Sequence, residues 1–230
     1  MAILKNQNKN YLIKNLLKYN IQLGNKKIFT NFWMHEYIFG FRFGRSILNL
    51  EKSIISLRRT IKFIELLVEN NGIILFINTK RTINKSTKII SEKYRYPYII
   101  DTWIKGSLTN WTDLNLKIKN FNKLILKDKN ITLKIKQKFI KRYSGLFLMK
   151  KLPNAIFVFD PIVDSIAINE AKQMNIPVIA LVDSNSSSKN IDFPIFSNND
   201  SLKSINFITL LVDKAIKKGK IKKEYKKYIK

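Results

Sequence analysis

Short runs of β-favouring apolar residues recur along the chain, each cut off by polar residues and each separated from the next by a helix-like segment. IILFI at 73–77, YPYII at 96–100, AIFVF at 155–159 and VIALV at 178–182 are too short for helices and too uniformly apolar for half-exposed strands. They predict strands buried on both faces. Leu50, Ile54, Leu57, Ile61, Ile64 and Val68 repeat at steps of three and four, which predicts a helix over 50–70. Asn70-Asn71-Gly72 is expected to stop it, with Gly72 in the left-handed conformation. Further helices are predicted over 82–94 and 163–174. FPIF at 193–196 reads as a short edge strand, and Asn198-Asn199-Asp200-Ser201 caps a last helix. Strands that alternate with helices need crossover connections. The fold class is therefore α/β, with a parallel or mostly parallel sheet covered by helices on both faces.

Two of these runs end in aspartate, at Asp160-Pro161 and Asp183-Ser184. Ligands of open parallel sheets bind beyond the carboxyl ends of the strands. Two carboxylates there could hold a magnesium ion for phosphotransfer or RNA processing. The plainer role is capping: an aspartate after a strand accepts backbone N–H groups of the next turn, and proline suits a first helical turn. Capping is the preferred reading, because no further carboxylates gather nearby in sequence. Nor does a glycine-rich phosphate loop follow any strand. NTKRTINKST and DSNSSSKN contain no glycine, so no dinucleotide cofactor is expected. Cysteine is absent and His35 is the one histidine, which removes structural zinc and a Cys–His or Ser–His nucleophile from consideration. No catalytic residue, metal or cofactor is assigned.

Charge supplies the strongest clue to a partner. Lys and Arg number 43 against 16 Asp and Glu, a net charge of +27. A domain this basic repels itself unless a polyanion neutralises it, and nucleic acid is the first candidate, ahead of an anionic membrane. No apolar run approaches the length that spans a bilayer. The cations fall in several places. Lys26, Lys27, Arg42 and Arg45 are interleaved with Phe, Tyr and Trp over 25–45; most of those rings are expected in the core, with only the cations exposed. Lys80 and Arg81 follow a strand end. Lys105 lies in a loop, and Lys150 and Lys151 follow a lysine-dense stretch at 113–150 that reads as a basic helical hairpin turning near Asp128-Lys129-Asn130. Lys217, Lys218, Lys220, Lys222 and Lys223 form a basic tail, which Gly219 is expected to interrupt.

KKLPNAIFVFDPIVDSIAINEAKQMNIPVIALVDSNSS (150–187) resembles the central signature of the small-subunit ribosomal protein S2 family. Pro153, Ile156-Phe157-Val158, Asp160, Asp164, Ile168, Glu170 and Asn175-Ile176-Pro177 carry the likeness. YIFGFRFGRSILNLEKS (37–53), NNGIILFINTKR (70–81), YPYIIDTWIKGSLTNW (96–111) and FPIFSNNDSLKSINFI (193–208) are similar to further segments, in the family's order. Two segments depart from it: Gln22-Leu23-Gly24-Asn25 stands where the family usually has His-Phe-Gly-His, and Lys105-Gly106 replaces paired glycines.

The resemblance implies a Rossmann-like or flavodoxin-like sheet with a protruding, here shortened, helical hairpin. It implies a structural protein of the small ribosomal subunit that binds small-subunit rRNA between head and body, with neighbouring ribosomal proteins as partners. Neither a membrane nor a second copy of the chain is expected as a partner. The expected organisation is an N-terminal extension over 1–15, an α/β domain over 16–216 and a basic tail over 217–230. The abundance of Lys, Ile and Asn suggests an AT-rich genome. A mitochondrial ribosome is the expected location, with synthesis inside the organelle because no transit peptide is evident; an AT-rich bacterium or another organelle is the alternative.

Overall fold

In the computed structural model, which describes residues 12–80, 84–127 and 132–229, the buried runs assemble into one parallel sheet. A helical stretch at 12–18 (α1) leads into β1 (Leu23–Lys26). Two short 3-10 turns follow, then β2 (Ile38–Arg42) and β3 (Arg45–Leu48). These three strands make a small antiparallel sheet in the order β1-β3-β2. The chain continues through α2 (Leu50–Glu69), β4 (Ile74–Asn78), α3 (Asn84–Tyr94), β5 (Tyr98–Ile100), α4 (Trp111–Lys127) and α5 (Leu133–Tyr143). It ends with β6 (Ala155–Val158), α6 (Ser165–Gln173), β7 (Val178–Val182), β8 (Phe193–Phe196) and α7 (Leu202–Ile229). The main sheet has five strands in the order β5-β4-β6-β7-β8, all parallel. Renumbered within the sheet this is 2-1-3-4-5, the flavodoxin-like winding.

Strand pleat divides the core in two. Ile74 and Phe76 of β4 join Phe157, Ile179 and Leu181 against α2 and α7 on one face. Leu75 and Ile77 join Ile156, Val158, Val178 and Ala180 against α6 and the start of α4 on the other. Both faces of every central strand are therefore dry, which is why the sequence shows continuous apolar runs rather than alternation.

The predicted helices and strands are present, with shifts of a residue or two at their ends. Asn49, unnoticed in the sequence, caps α2 by accepting the N–H groups of Glu51 and Lys52 at 3.0 and 3.3 Å. At the other end of α2, Asn71 takes the left-handed conformation (φ 61°), not Gly72. Asparagine tolerates that region, and the following Gly72 N–H closes back on the Leu67 carbonyl at 2.7 Å. The helical hairpin at 113–150 exists as α4 and α5, held by Phe121 against Phe139 with ring centroids 4.1 Å apart. Its turn at 128–131 lies outside the described residues.

Two expectations are overturned here. The antiparallel sheet β1–β3 was not foreseen. Gly219, taken as an interruption, sits inside α7, which runs unbroken through the basic tail. Its missing side chain lets α7 lie against α2: a Cβ there would fall 2.7 Å from the Glu65 carbonyl oxygen and 2.9 Å from Val68 Cβ. Facing lysines then reach across, Lys218 and Lys222 to Glu65 at 3.0 and 3.3 Å and Lys226 to Glu69.

Gly219→Leu is expected to force the two helices apart and destabilise the protein by about 1–3 kcal/mol. Gly40→Ala, where a Cβ meets nothing within 4 Å, should change stability by less than about 0.5 kcal/mol. Thermal or urea denaturation of the two variants checks this difference.

Candidate nucleic-acid interface

In a flavodoxin-like sheet the ligand crevice opens at the carboxyl ends of the strands where the winding reverses, here between β4 and β6. This chain closes that crevice with its own groups. After β4, Thr79 donates its hydroxyl to Asp164 at 2.8 Å and its N–H at 3.3 Å. Lys80 Nζ reaches Asp200 at 2.5 Å and Asp160 at 3.6 Å, and donates to the Asn199 carbonyl at 3.4 Å. After β6, Asp160 accepts the N–H groups of Ile162 and Val163 at 3.1 and 3.4 Å, which is the capping role. After β7, Asp183 accepts the N–H groups of Ser184 and Asn199 at 2.5 and 3.3 Å, tying that strand to the loop before α7. Both aspartates thus face backbone donors. Among the described residues no group of three or more His, Cys, Asp or Glu is gathered in a way that could hold a metal ion.

Ser184 extends the closure to the small sheet. Its hydroxyl accepts the Asn25 N–H at 2.8 Å and its carbonyl accepts the Asn31 N–H at 2.8 Å. A Cβ on Gly24 would lie 2.3 Å from Ser46 Oγ and 2.7 Å from Ser184 Oγ, so only glycine permits this contact. The strand-end serine is an anchor for β1.

A second organising group escaped the sequence reading in its role. Glu170 on α6 is buried, and one of its oxygens accepts the Trp103 indole N–H at 2.8 Å and the Gly106 N–H at 2.9 Å. The other accepts the N–H groups of Leu108 and Thr109 at 3.1 and 3.4 Å. One carboxylate therefore shapes the whole loop from β5 to α4 and aims the helical hairpin. The quoted Trp103, Gly106, Leu108 and Thr109 all meet in this contact.

The predicted cations separate into groups. Lys26, Lys27, Arg42 and Arg45 come together at one end of the small sheet. Lys26 pairs in register with Arg45, and Arg45 with Arg42, so three strands place cations side by side. All four are exposed. Lys105, Lys150 and Lys151 are exposed around the hairpin base, with Lys150 beside Asn115 and Lys119 of α4. On α7, Lys217 is exposed, Lys220 lies over the Tyr94 ring at 4.7 Å, and Lys223 is half-buried. Lys80, Lys218 and Lys222 are engaged in the ion pairs above and would have to release them to meet a phosphate. Arg81 lies outside the described residues.

The aromatic residues among the first group correct the expectation that most were core. Phe29, Phe32, Trp33, Phe39, Phe41 and Phe43 are exposed. These rings lie on the small antiparallel sheet and the turns around it, outside both core clusters, so strand alternation there does not imply burial. Lys189, from the polar loop after β7, sits 5.4 Å from the Trp33 ring, a cation the sequence did not single out.

Comparison with known proteins gives a consistent picture. A profile of the family described as Ribosomal protein S2 matches residues 16–219. The small ribosomal subunit protein uS2 of Buchnera aphidicola is 33% identical over 226 residues, covering 93% of this chain and 94% of that protein. The uS2 proteins of Thermus thermophilus and Francisella philomiragia are 33% and 34% identical over 208 residues, covering 85% of this chain and 81% and 87% of their own lengths.

Two outcomes test the internal closure. Glu170→Ala strands the Trp103 indole and several backbone N–H groups, and should cost about 3 kcal/mol while speeding hydrogen exchange at 103–109. The second concerns pH. Burial raises the Asp164 carboxyl to a pKa of about 6, with the Asp160 charge adding and the Thr79 hydrogen bonds opposing. Asp183 is likewise raised to about 6 by burial, against the Ser184 and Asn199 N–H groups. A carboxyl that holds its proton more tightly when folded stabilises the fold below the unfolded pKa near 4 and loses that contribution as pH rises through about 6. Asp164→Asn should remove on the order of 2 kcal/mol from the decline in stability expected of the parent chain between pH ~4 and ~7. Urea titrations across that range measure it.

Proposed function

Since the chain belongs to the ribosomal protein S2 family, we propose that it is a structural protein of a small ribosomal subunit, binding small-subunit rRNA between head and body and packing against neighbouring ribosomal proteins. It acts as a single copy. The observation that carries this reading is the row Lys26–Arg45–Arg42 across three adjacent strands. Like charges directly opposite one another destabilise a sheet, and a row of phosphates removes that cost. Lys27, Lys105, Lys150, Lys151, exposed Lys217 and the partly exposed Lys220 and Lys223 extend the basic surface. Lys80, Lys218 and Lys222 hold the scaffold in shape; Arg81, next to Lys80 in sequence, is proposed as a further phosphate contact.

Such contacts position RNA with little reading of its sequence. No step of bond-making is required of the protein; Asp160 and Asp183 fix backbone. The organisation that fits this role is an α/β domain over 16–216 with an N-terminal extension at 1–15 and a basic C-terminal segment at 217–230, of which 217–229 continue α7. A mitochondrial ribosome is the proposed location, supported by the Lys, Ile and Asn bias and by the altered Gln22-Leu23-Gly24-Asn25 segment. Peptide mapping of ribosomes from purified mitochondria and from any bacterial fraction of the source decides between organelle and bacterium.

Lysate sedimentation tests the role itself. The chain should travel with the small subunit and leave that fraction after ribonuclease treatment; a chain that never travels with it contradicts the proposal. With purified RNA, log affinity should fall linearly with log salt, and Arg45→Gln should lower the slope by about one.

A further inference from the structure

The turn joining β2 to β3 is Phe43-Gly44, and both residues have positive φ, 49° and 69°. Two-residue hairpins of this kind favour Asn-Gly or Asp-Gly, because a bulky side chain is strained in the left-handed region. Phe43 is also 92% exposed, so burial does not explain the ring either. A phenyl group stands where turn chemistry and the hydrophobic effect both disfavour it. Outliers of this kind point to a use at the surface.

Its surroundings say what the use is. Arg42 lies 5.3 Å from the Phe43 ring, and Lys27 lies 5.1 Å from the neighbouring Phe41 ring, which is also exposed. The Lys27 N–H donates to the Gly44 carbonyl at 2.9 Å, which clamps the turn to β1. Arg45 and Lys26 complete a rim of cations. From Gly24 to Asn49 there is a single carboxylate, Glu36, and it is held by Lys52 at 3.0 Å. Aromatic and arginine side chains also serve protein interfaces, but four cations around two rings, with one carboxylate in the whole segment, favour a polyanion. Flat rings set among cations that form no ion pair among the described residues match the alternating faces of an unpaired nucleic-acid strand, with bases for the rings and phosphates for the cations.

We propose that the β2–β3 turn is a stacking platform for unpaired RNA bases, with Phe43 as the principal ring and Phe41 as the second, and that Arg42, Arg45, Lys26 and Lys27 hold the flanking phosphates. This rests on the RNA-binding role proposed above and adds a preference: single-stranded or looped RNA over a continuous duplex at this site.

The test uses the full chain with fluorescent oligouridylate and with a short RNA duplex. Phe43→Asn is the decisive variant, because asparagine suits the turn. Its melting temperature should hold or rise, while affinity for oligouridylate falls about tenfold with the salt slope unchanged. Phe43→Trp should restore affinity, and Phe43→Leu should not. Duplex binding should respond little to any of them. Parent chain that binds neither RNA would sink the RNA-binding role itself. Parent chain that binds oligouridylate equally well as Phe43→Asn would overturn the stacking platform alone. Loss of subunit incorporation by Phe43→Asn with unchanged RNA affinity would also overturn it, and would assign the turn to a protein neighbour.

Discussion

The chain fills the carboxyl ends of its own strands with its own side chains, and the loops there and the small sheet take their places from that filling. Asp183 holds the N–H groups of Ser184 and Asn199, Asp160 holds those of Ile162 and Val163, and Lys80 bridges Asp160 to Asp200. Together they occupy the place where a flavodoxin-like sheet would receive a ligand. Buried polar groups are tolerable only when partnered, and here the partners are supplied by three successive strand-end loops and the approach to α7. The network fixes the relative places of these loops. Through Ser184 it also fixes the small sheet.

The consequence for function is a reversal of the usual geography of such folds. The inner crevice is spent on holding shape, and the surfaces left for partners are the outer ones. Three basic regions remain outside the crevice: the β1–β3 sheet, the hairpin aimed by Glu170, and the exposed face of α7. Each is carried on a rigid element tied to the core by specific contacts, Ser184 to Asn25, Glu170 to the loop at 103–109, and Gly219 against α2. A protein that braces a folded RNA needs cations at fixed separations, and this construction provides them.

Much of this was legible in the sequence, for a physical reason. Strands buried on both faces must be apolar throughout, so IILFI and VIALV could hardly be anything else, and the crossovers between them imposed a parallel sheet. The capping roles of Asp160 and Asn198 were readable because they act on residues two and three positions away. What was hidden acts at long range or through backbone. Glu170 takes its donors from residues more than sixty positions earlier, most of them peptide N–H groups that leave no residue signature. Gly219 looked like a helix break because its reason lies on α2. The β1–β3 sheet was missed because its strands are short, irregular in register and apolar on an open side. The exposed rings were assigned to the core, whereas they stand on the small sheet and its turns outside both core clusters.

The central claim is that the strand-end carboxylates close the fold while the basic outer surfaces meet RNA. A high-resolution map of the small ribosomal subunit from the source organism tests it most directly. The account predicts Asp160 and Asp183 engaged with their own backbone, and phosphates against the Lys26–Arg45–Arg42 row. A nucleotide or metal ion bound between those aspartates, or a basic row turned away from RNA, would contradict it.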